Sequence, residues 1–270
     1  MVSDFIFDGK ALSDFGYMMI FENSEEVISV SGMQFETIKA ALSDISRKTS
    51  HTYESNYTST FLIMKNSCDY DDGEFLSHDD VSELTRWLAR KQYKWFRFID
   101  DDDDDEIWYK VQIQVSKEYV GDNVIGLRLI VTANAPYGFT REFTKSNTEL
   151  EEGEDFDIRI YSDEEGYIYP TCVVTCPTAG TLTITNTTEG RVTRVANCSA
   201  NEVITFIGED TQQIISSDTT HDFTKHFNYV FPRLYVEYGN YNNTFECEIN
   251  GETPEVTFSF RGIRKVGFDG

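Results

Sequence analysis

Between Ile107 and Val115 the chain alternates with a period of two. Ile107, Tyr109, Val111, Ile113 and Val115 fall on one face, and Trp108, Lys110, Gln112 and Gln114 on the other. A helix turns every 3.6 residues and would scatter that set, so the segment reads as a half-buried strand. The aromatic-rich run Tyr93 to Ile99 precedes it, and Val124 to Ala133 follows the turn signal Gly121-Asp122-Asn123. Together they predict an antiparallel meander, with the acidic run Asp100 to Glu106 at a hairpin tip. Phe5 and Phe7, Tyr17 to Phe21, Glu26 to Phe35 and Thr58 to Met64 alternate as well. The chain is therefore mainly β.

One helix interrupts the strands. Ser77-His78-Asp79-Asp80 fits a capping box with Asp in place of Glu or Gln, and Val81, Leu84, Trp87 and Leu88 form an apolar stripe. Arg86, Arg90 and Lys91 follow, where the helix dipole favours cations. Pro136 to Glu154 then reads as a connector, dividing residues 1–146 from residues 147–270. Short β runs fill the second part: Phe156 to Tyr161, Tyr167 to Cys176, Gly180 to Asn186, Arg191 to Asn197, Glu202 to Ile207, Gln212 to Ser216, Tyr229 to Glu237, Thr244 to Asn250 and Glu255 to Phe260. Turn residues punctuate them as in a β-sandwich.

Charge limits what such a chain binds. The net charge is −24, and three short segments hold 22 of the 47 acids: Asp69 to Asp80, Asp100 to Glu106 and Glu149 to Glu165. Such a surface repels nucleic acid and anionic membranes. No apolar run approaches the roughly 18–20 residues that span a bilayer. The opening residues lack a basic stretch followed by an apolar one, so no secretory leader is expected. Five cysteines, Cys68, Cys172, Cys176, Cys198 and Cys247, then read as reduced thiols. Cys172 and Cys176 would share one face of a strand, which suits burial. Four sequons, at Asn56, Asn186, Asn197 and Asn242, are expected to be chance.

Candidate chemistry is sparse. His221, His226 and Cys247 are candidate zinc ligands without a recognised spacing. Asp69 to Asp80 approximates a calcium loop, but glycine falls at its fifth position rather than its sixth. No nucleophile elbow, dinucleotide fingerprint or phosphate loop occurs. Tyr167, Tyr169, Tyr235, Tyr238 and Tyr241 are candidates for stacking on sugar. These residues leave no enzyme motif and no cofactor expected.

A series of motifs, in chain order, resembles a known family. It opens with Phe5-Ile6-Phe7-Asp8-Gly9-Lys10 and Ser13-Asp14-Phe15-Gly16. Phe61-Leu62-Ile63-Met64-Lys65-Asn66 and Arg86-Trp87-Leu88-Ala89-Arg90-Lys91 follow, then Gly126-Leu127 and Ala135-Pro136-Tyr137-Gly138. Gly166-Tyr167-Ile168-Tyr169-Pro170 and Phe227-Asn228-Tyr229-Val230-Phe231-Pro232-Arg233 complete the set. The order resembles the distal tail proteins of long-tailed, non-contractile (siphovirus-type) bacteriophages.

The resemblance implies a homohexameric ring at the distal end of the tail tube. Its N-terminal part would be a β-sandwich or barrel-like ring domain with one helix. The C-terminal part would be a galectin-like β-sandwich projecting outward. The expected partners are the tail tube protein, the tail-tip hub protein and receptor-binding proteins. DNA would pass through the channel without specific binding, and no membrane insertion is implied. The expected location is the tip of the virion tail, after synthesis in the cytoplasm of a bacterial host. Asp101, Asp102, Asp103, Asp104 and Asp105 match no motif of the family, and on electrostatic grounds are expected on the channel wall or its rim. Ring contacts are expected from residues 1–140, through extended edges along Glu25 to Phe35 and Thr49 to Met64. The competing readings are a carbohydrate-binding adhesion module and a β-rich hydrolase with an unrecognised carboxylate pair.

Overall fold

The computed structural model describes residues 4–21, 33–39, 44–53, 55–65, 75–99, 106–150, 154–208 and 211–265. Two compact units divide the chain, Met1–Thr140 with Arg264–Gly270, and Arg141–Ile263.

The alternating segment folds as expected and runs further. In the first unit, β1 (Asp4–Phe7), β2 (Lys10–Ala11), β3 (Tyr17–Phe21), β4 (Met33–Lys39), β5 (Ser46–Tyr53), β6 (Thr58–Lys65), β7 (Lys94–Ile99), β8 (Tyr109–Val120), β9 (Asn123–Ala133) and β10 (Gly138–Phe139) are the strands. Seven of them make one antiparallel sheet in the order β2-β1-β7-β8-β9-β6-β3. The meander β7-β8-β9 is its centre. Val111, Ile113 and Val115 of β8 face Ala133, Val131 and Leu129 of β9 in register, and Phe61 and Ile63 of β6 face Leu129 and Leu127. The period of two therefore delivers one continuous apolar face.

That face is closed by α1 (His78–Leu88), whose Val81, Leu84, Trp87 and Leu88 are all buried in the same core as Phe5, Phe7, Phe61 and Phe96. Trp87 stacks on Phe5 and on Phe15, with ring centroids 5.9 and 4.5 Å away. Its indole N–H donates to the Phe7 carbonyl at 3.2 Å, so the one polar atom of the ring is satisfied. Gly126 permits the close β6–β9 approach, because a Cβ there would lie 2.5 Å from the Ile63 carbonyl oxygen.

In the second unit the strands are β11 (Phe143–Ser146), β12 (Phe156–Arg159), β13 (Gly166–Ile168), β14 (Thr171–Thr175), β15 (Gly180–Asn186), β16 (Arg191–Cys198), β17 (Val203–Ile207), β18 (Gln213–Ser216), β19 (Leu234–Val236), β20 (Asn242–Ile249) and β21 (Glu255–Phe260). A five-stranded sheet, β11-β21-β14-β17-β18, and a four-stranded sheet, β12-β20-β15-β16, share one core, and β13 pairs with β19. Phe245 of β20 meets Phe258 of β21 at 4.6 Å between centroids, which joins the two inner faces. Cys172, Val174 and Cys176 alternate inward along β14 and its end, as the shared-face reading requires. Asn186 is buried too, so that sequon is no accessible acceptor.

The structure revises several expected boundaries. Thr37 to Lys48, which lies between the two expected edges, contributes to both strands of a hairpin, β4 and β5. The run Thr49 to Met64 breaks between β5 and β6, which lie in different sheets. The polar stretch around Lys145 is strand β11, paired with β21. Tyr167 to Cys176 is two strands separated by Tyr169-Pro170, because proline has no N–H to continue a ladder. Tyr229 to Glu237 keeps only three residues as strand, and α2 (Phe223–His226), a single helical turn, stands where no helix was read.

Candidate functional surfaces

The first surface is the β4–β5 ribbon. Phe35 stands opposite His51 and Ile38 opposite Arg47. Residues 34–39 are all exposed, with Phe35 57%, Ile38 61% and nearby Ile45 72% accessible. Lys48 lies over the Phe35 ring at 4.5 Å, and Glu36 accepts a hydrogen bond from the Ser50 hydroxyl. Lys39, Arg47 and Lys48 make the ribbon locally basic in a strongly acidic chain. A two-stranded ribbon by itself is marginal in water. One that also exposes three large apolar side chains has the composition of a contact surface.

The acidic hairpin tip joins β7 to β8. Asp101, Asp102, Asp103, Asp104 and Asp105 lie outside the described residues, as does Cys68. At the tip's base, Glu106 pairs with Arg97 at 3.1 Å and accepts from the Trp108 indole N–H at 3.3 Å.

The candidate metal groups are engaged otherwise. Asp69 to Glu74 lie outside the described residues. Asp80, the last position of the calcium-loop reading, accepts from the Ser77 N–H at 2.8 Å and pairs with Lys65 at 3.1 Å. Burial opposes its charge, but the Ser77 bonds and Lys65 outweigh burial and hold the carboxyl below its ordinary value. His221 Nδ1 meets Glu202 Oε1 at 2.6 Å inside the second unit, and His226 Nε2 meets the Asn197 amide at 2.9 Å. Burial pushes the Cys247 thiol up to about 12. Among the described residues no group of three or more His, Cys, Asp or Glu converges as a metal site.

The second surface lies on the second unit. Register places Tyr167 of β13 opposite Tyr235 of β19. The Arg233 guanidinium carbon stands 3.4 Å from the Tyr167 ring centroid. Arg233 is clamped by Glu189, through Nε at 3.0 Å and Nη2 at 2.7 Å, and that pairing raises its already high pKa. Two buried asparagines fix the strand beneath. Asn243 Oδ1 accepts from the Tyr235 N–H at 2.7 Å, and Asn243 Nδ2 donates to the Tyr235 carbonyl at 2.9 Å. Asn186 donates to Asn243 at 2.9 Å and to the Arg233 carbonyl at 3.0 Å. Nothing in the sequence pattern marks these asparagines as structural: Asn186 ends the expected strand Gly180 to Asn186, and Asn243 falls just before the expected strand Thr244 to Asn250.

Comparison with known proteins places these surfaces in context. Residues 1–135 match the family described as phage tail protein N-terminal domain, and residues 137–260 match the phage tail C-terminal domain. No curated protein sequence matches the chain. Among solved structures, the Dit protein of phage SPP1, described as a paradigm of hub adsorption apparatus in phages that infect Gram-positive hosts, is similar at 12% identity. Its TM-score is 0.58, over 97% of this chain and 99% of that one. A chain of the phage p2 baseplate, in its activated conformation with calcium, is similar at 8% identity with a TM-score of 0.53, over 100% of this chain and 99% of that one. The strontium form of that baseplate gives 9% identity and a TM-score of 0.53, with the same coverage.

Proposed function

The chain belongs to the phage tail protein family along both of its domains, and from that premise we propose that it is the ring-forming distal tail protein of a siphovirus-type phage. It is a structural component of the tail rather than an enzyme. Six copies form a ring at the distal end of the tail tube, between the tube protein and the tail-tip hub protein, around the channel that DNA traverses. Residues 1–140 build the ring as a β-sandwich or barrel-like domain; Phe143–Ser146, expected on that side of the boundary, pair with β21 in the second unit. Residues 141–263, a galectin-like sandwich, carry receptor-binding proteins.

The observation that carries this reading is the β4–β5 ribbon, exposed along residues 34–39 and bearing Phe35 and Ile38, with Ile45 beside it. Unpaired strand edges invite pairing with another chain, and natural sheets protect them unless pairing is their use. In a ring each copy offers its ribbon to the next, so every ribbon is covered and none is left over. The likeness to baseplate chains over nearly the full length supports the same two-part plan. Light scattering on the purified chain tests it: the expected species has six times the 31.1 kDa chain mass. A monodisperse monomer at high protein concentration overturns it.

A further inference from the structure

The second unit presents exposed tyrosines around the β13–β19 pair. Tyr167 is 51% exposed and Tyr238 86% exposed, yet the backbone that presents them is fixed from below. Asn186 and Asn243 are buried polar groups whose amides are spent on the strand carrying Arg233 and Tyr235. An apolar pair would fill that space without the desolvation cost of two amides. What the asparagines add is position, because the Asn243 bonds to Tyr235 and the Asn186 bond to the Arg233 carbonyl tie β19 and the residue before it to β20 and β15. Beyond β19, a tight turn closed by the Asn240 N–H to the Glu237 carbonyl, at 2.9 Å, carries Tyr238 outward. Rigid aromatic side chains on a fixed frame lose little entropy on contact, which is why tyrosine concentrates at binding hot spots.

Charge decides the class of partner. Glu165 accepts from the Tyr238 N–H at 3.4 Å and Glu237 adjoins Tyr238 in the chain, and the Glu237 charge, first, and burial raise the Tyr235 hydroxyl above its ordinary value. Carboxylates and the faces of aromatic rings both attract cations. The second unit already uses this chemistry on its tyrosines. Arg233 stacks on Tyr167 at 3.4 Å, and Arg159 on Tyr161 at 4.8 Å, with Tyr161 lying 5.6 Å from Tyr241. A pyranose would find one face of Tyr167 taken by Arg233 and would gain nothing from the negative field.

We propose that the strip formed by Tyr167, Tyr235 and Tyr238, with Glu165 and Glu237, docks a protein segment bearing arginine or lysine. The proposal rests on the second unit being the part that carries partners, but its test does not require a ring. The probe is the peptide acetyl-Gly-Arg-Gly-Arg-Gly-amide, titrated into the full isotope-labelled chain at fixed ionic strength. Chemical-shift changes should localise to Tyr167, Tyr235 and Tyr238. Tyr235→Ala with Tyr238→Ala removes no charge at neutral pH and should weaken binding about five-fold or more. Replacing Asp101 to Asp105 by Asn removes far more charge, from another part of the chain, and should change affinity by no more than about two-fold. Tyr238→Ala alone, at so exposed a position, keeps the fold and the oligomeric state and should still weaken binding. The proposal is overturned if both tyrosine variants bind like the parent, which would mean diffuse charge alone holds the peptide. It is equally overturned if maltotriose shifts these tyrosines and the peptide does not. Loss of the ring with peptide binding intact would instead sink the ring reading and leave this one standing.

Discussion

Ser77 and Asp80 close the N-terminus of α1 from both sides. The Ser77 hydroxyl accepts from the Asp80 N–H at 3.1 Å, and the Asp80 carboxylate accepts from the Ser77 N–H. Ser77→Ala should lower stability by about 1 kcal/mol in urea denaturation. Asp80 adds a pH dependence whose sign follows from its depressed pKa. Its contribution is complete above the unfolded carboxylate value, about 3.9, and is lost as pH falls through the lower folded value. Stability of Asp80→Asn should therefore fall less steeply than that of the parent chain on acidification below about pH 5; equal slopes would show the carboxylate does nothing for the fold. Asn243 is the residue with most to lose. Asn243→Leu would strand the Tyr235 N–H and C=O and one Asn186 bond inside the protein. Each stranded group costs about 1–3 kcal/mol, so the variant should be markedly less stable, whereas Tyr238→Ala should melt like the parent.

The β4–β5 ribbon belongs to the next scale, because its behaviour comes from the hairpin as a unit. Phe35→Ser, Ile38→Ser and Ile45→Ser together remove exposed apolar surface and touch nothing in the core cluster. The triple variant should keep the melting temperature of the isolated chain but sediment as a smaller species; an unchanged hexamer would show that the ribbon is not the contact. This element also shows what the sequence could and could not disclose. Strands with one buried face, such as β8 and β9, announce themselves, since burial selects every second residue. The limits of β4 were not legible, because both its faces are exposed and neither is under that selection. The core helix was legible for the same reason as β8: Val81, Leu84, Trp87 and Leu88 all answer to one buried face. Short strands set by a single partner were missed or overextended. β19 owes its position to Asn243, eight residues past Tyr235, and no local period encodes a side-chain bond to a neighbouring strand. The tyrosines of the second surface were visible as residue types, but only cross-strand register brings Tyr167, Arg233 and Tyr235 together.

At the scale of the molecule, the net charge of −24 dominates every encounter between copies. A ring multiplies that charge in a small volume, and like charges on neighbouring walls oppose assembly. Such acids persist where they serve a purpose, and a channel crossed by DNA supplies one. Each phosphate contact with lysine or arginine would add to binding and slow the passage of the duplex, whereas an acidic wall leaves it free to slide. On the proposed ring we therefore propose that Asp101 to Asp105, with part of the acidic segment around Asp79, line the channel or its rim. Salt separates this arrangement from a DNA-binding ring. The Debye length is roughly 8–10 Å at physiological ionic strength, comparable to the spacing of side chains across a subunit boundary, so added salt screens the repulsion. Assembly should strengthen as sodium chloride rises from low to moderate concentration, and affinity for double-stranded DNA should be absent throughout. Replacing Asp101 to Asp105 by Asn should flatten that salt dependence while leaving the melting temperature of the chain in place. The base of the tip is held separately, by Glu106 on Arg97 and Trp108, and would not be disturbed. Sedimentation across a salt series, parent against variant, measures both effects. Assembly that weakens with salt, or a ring image with a neutral or basic channel and every acidic segment on its outer circumference, would remove the premise.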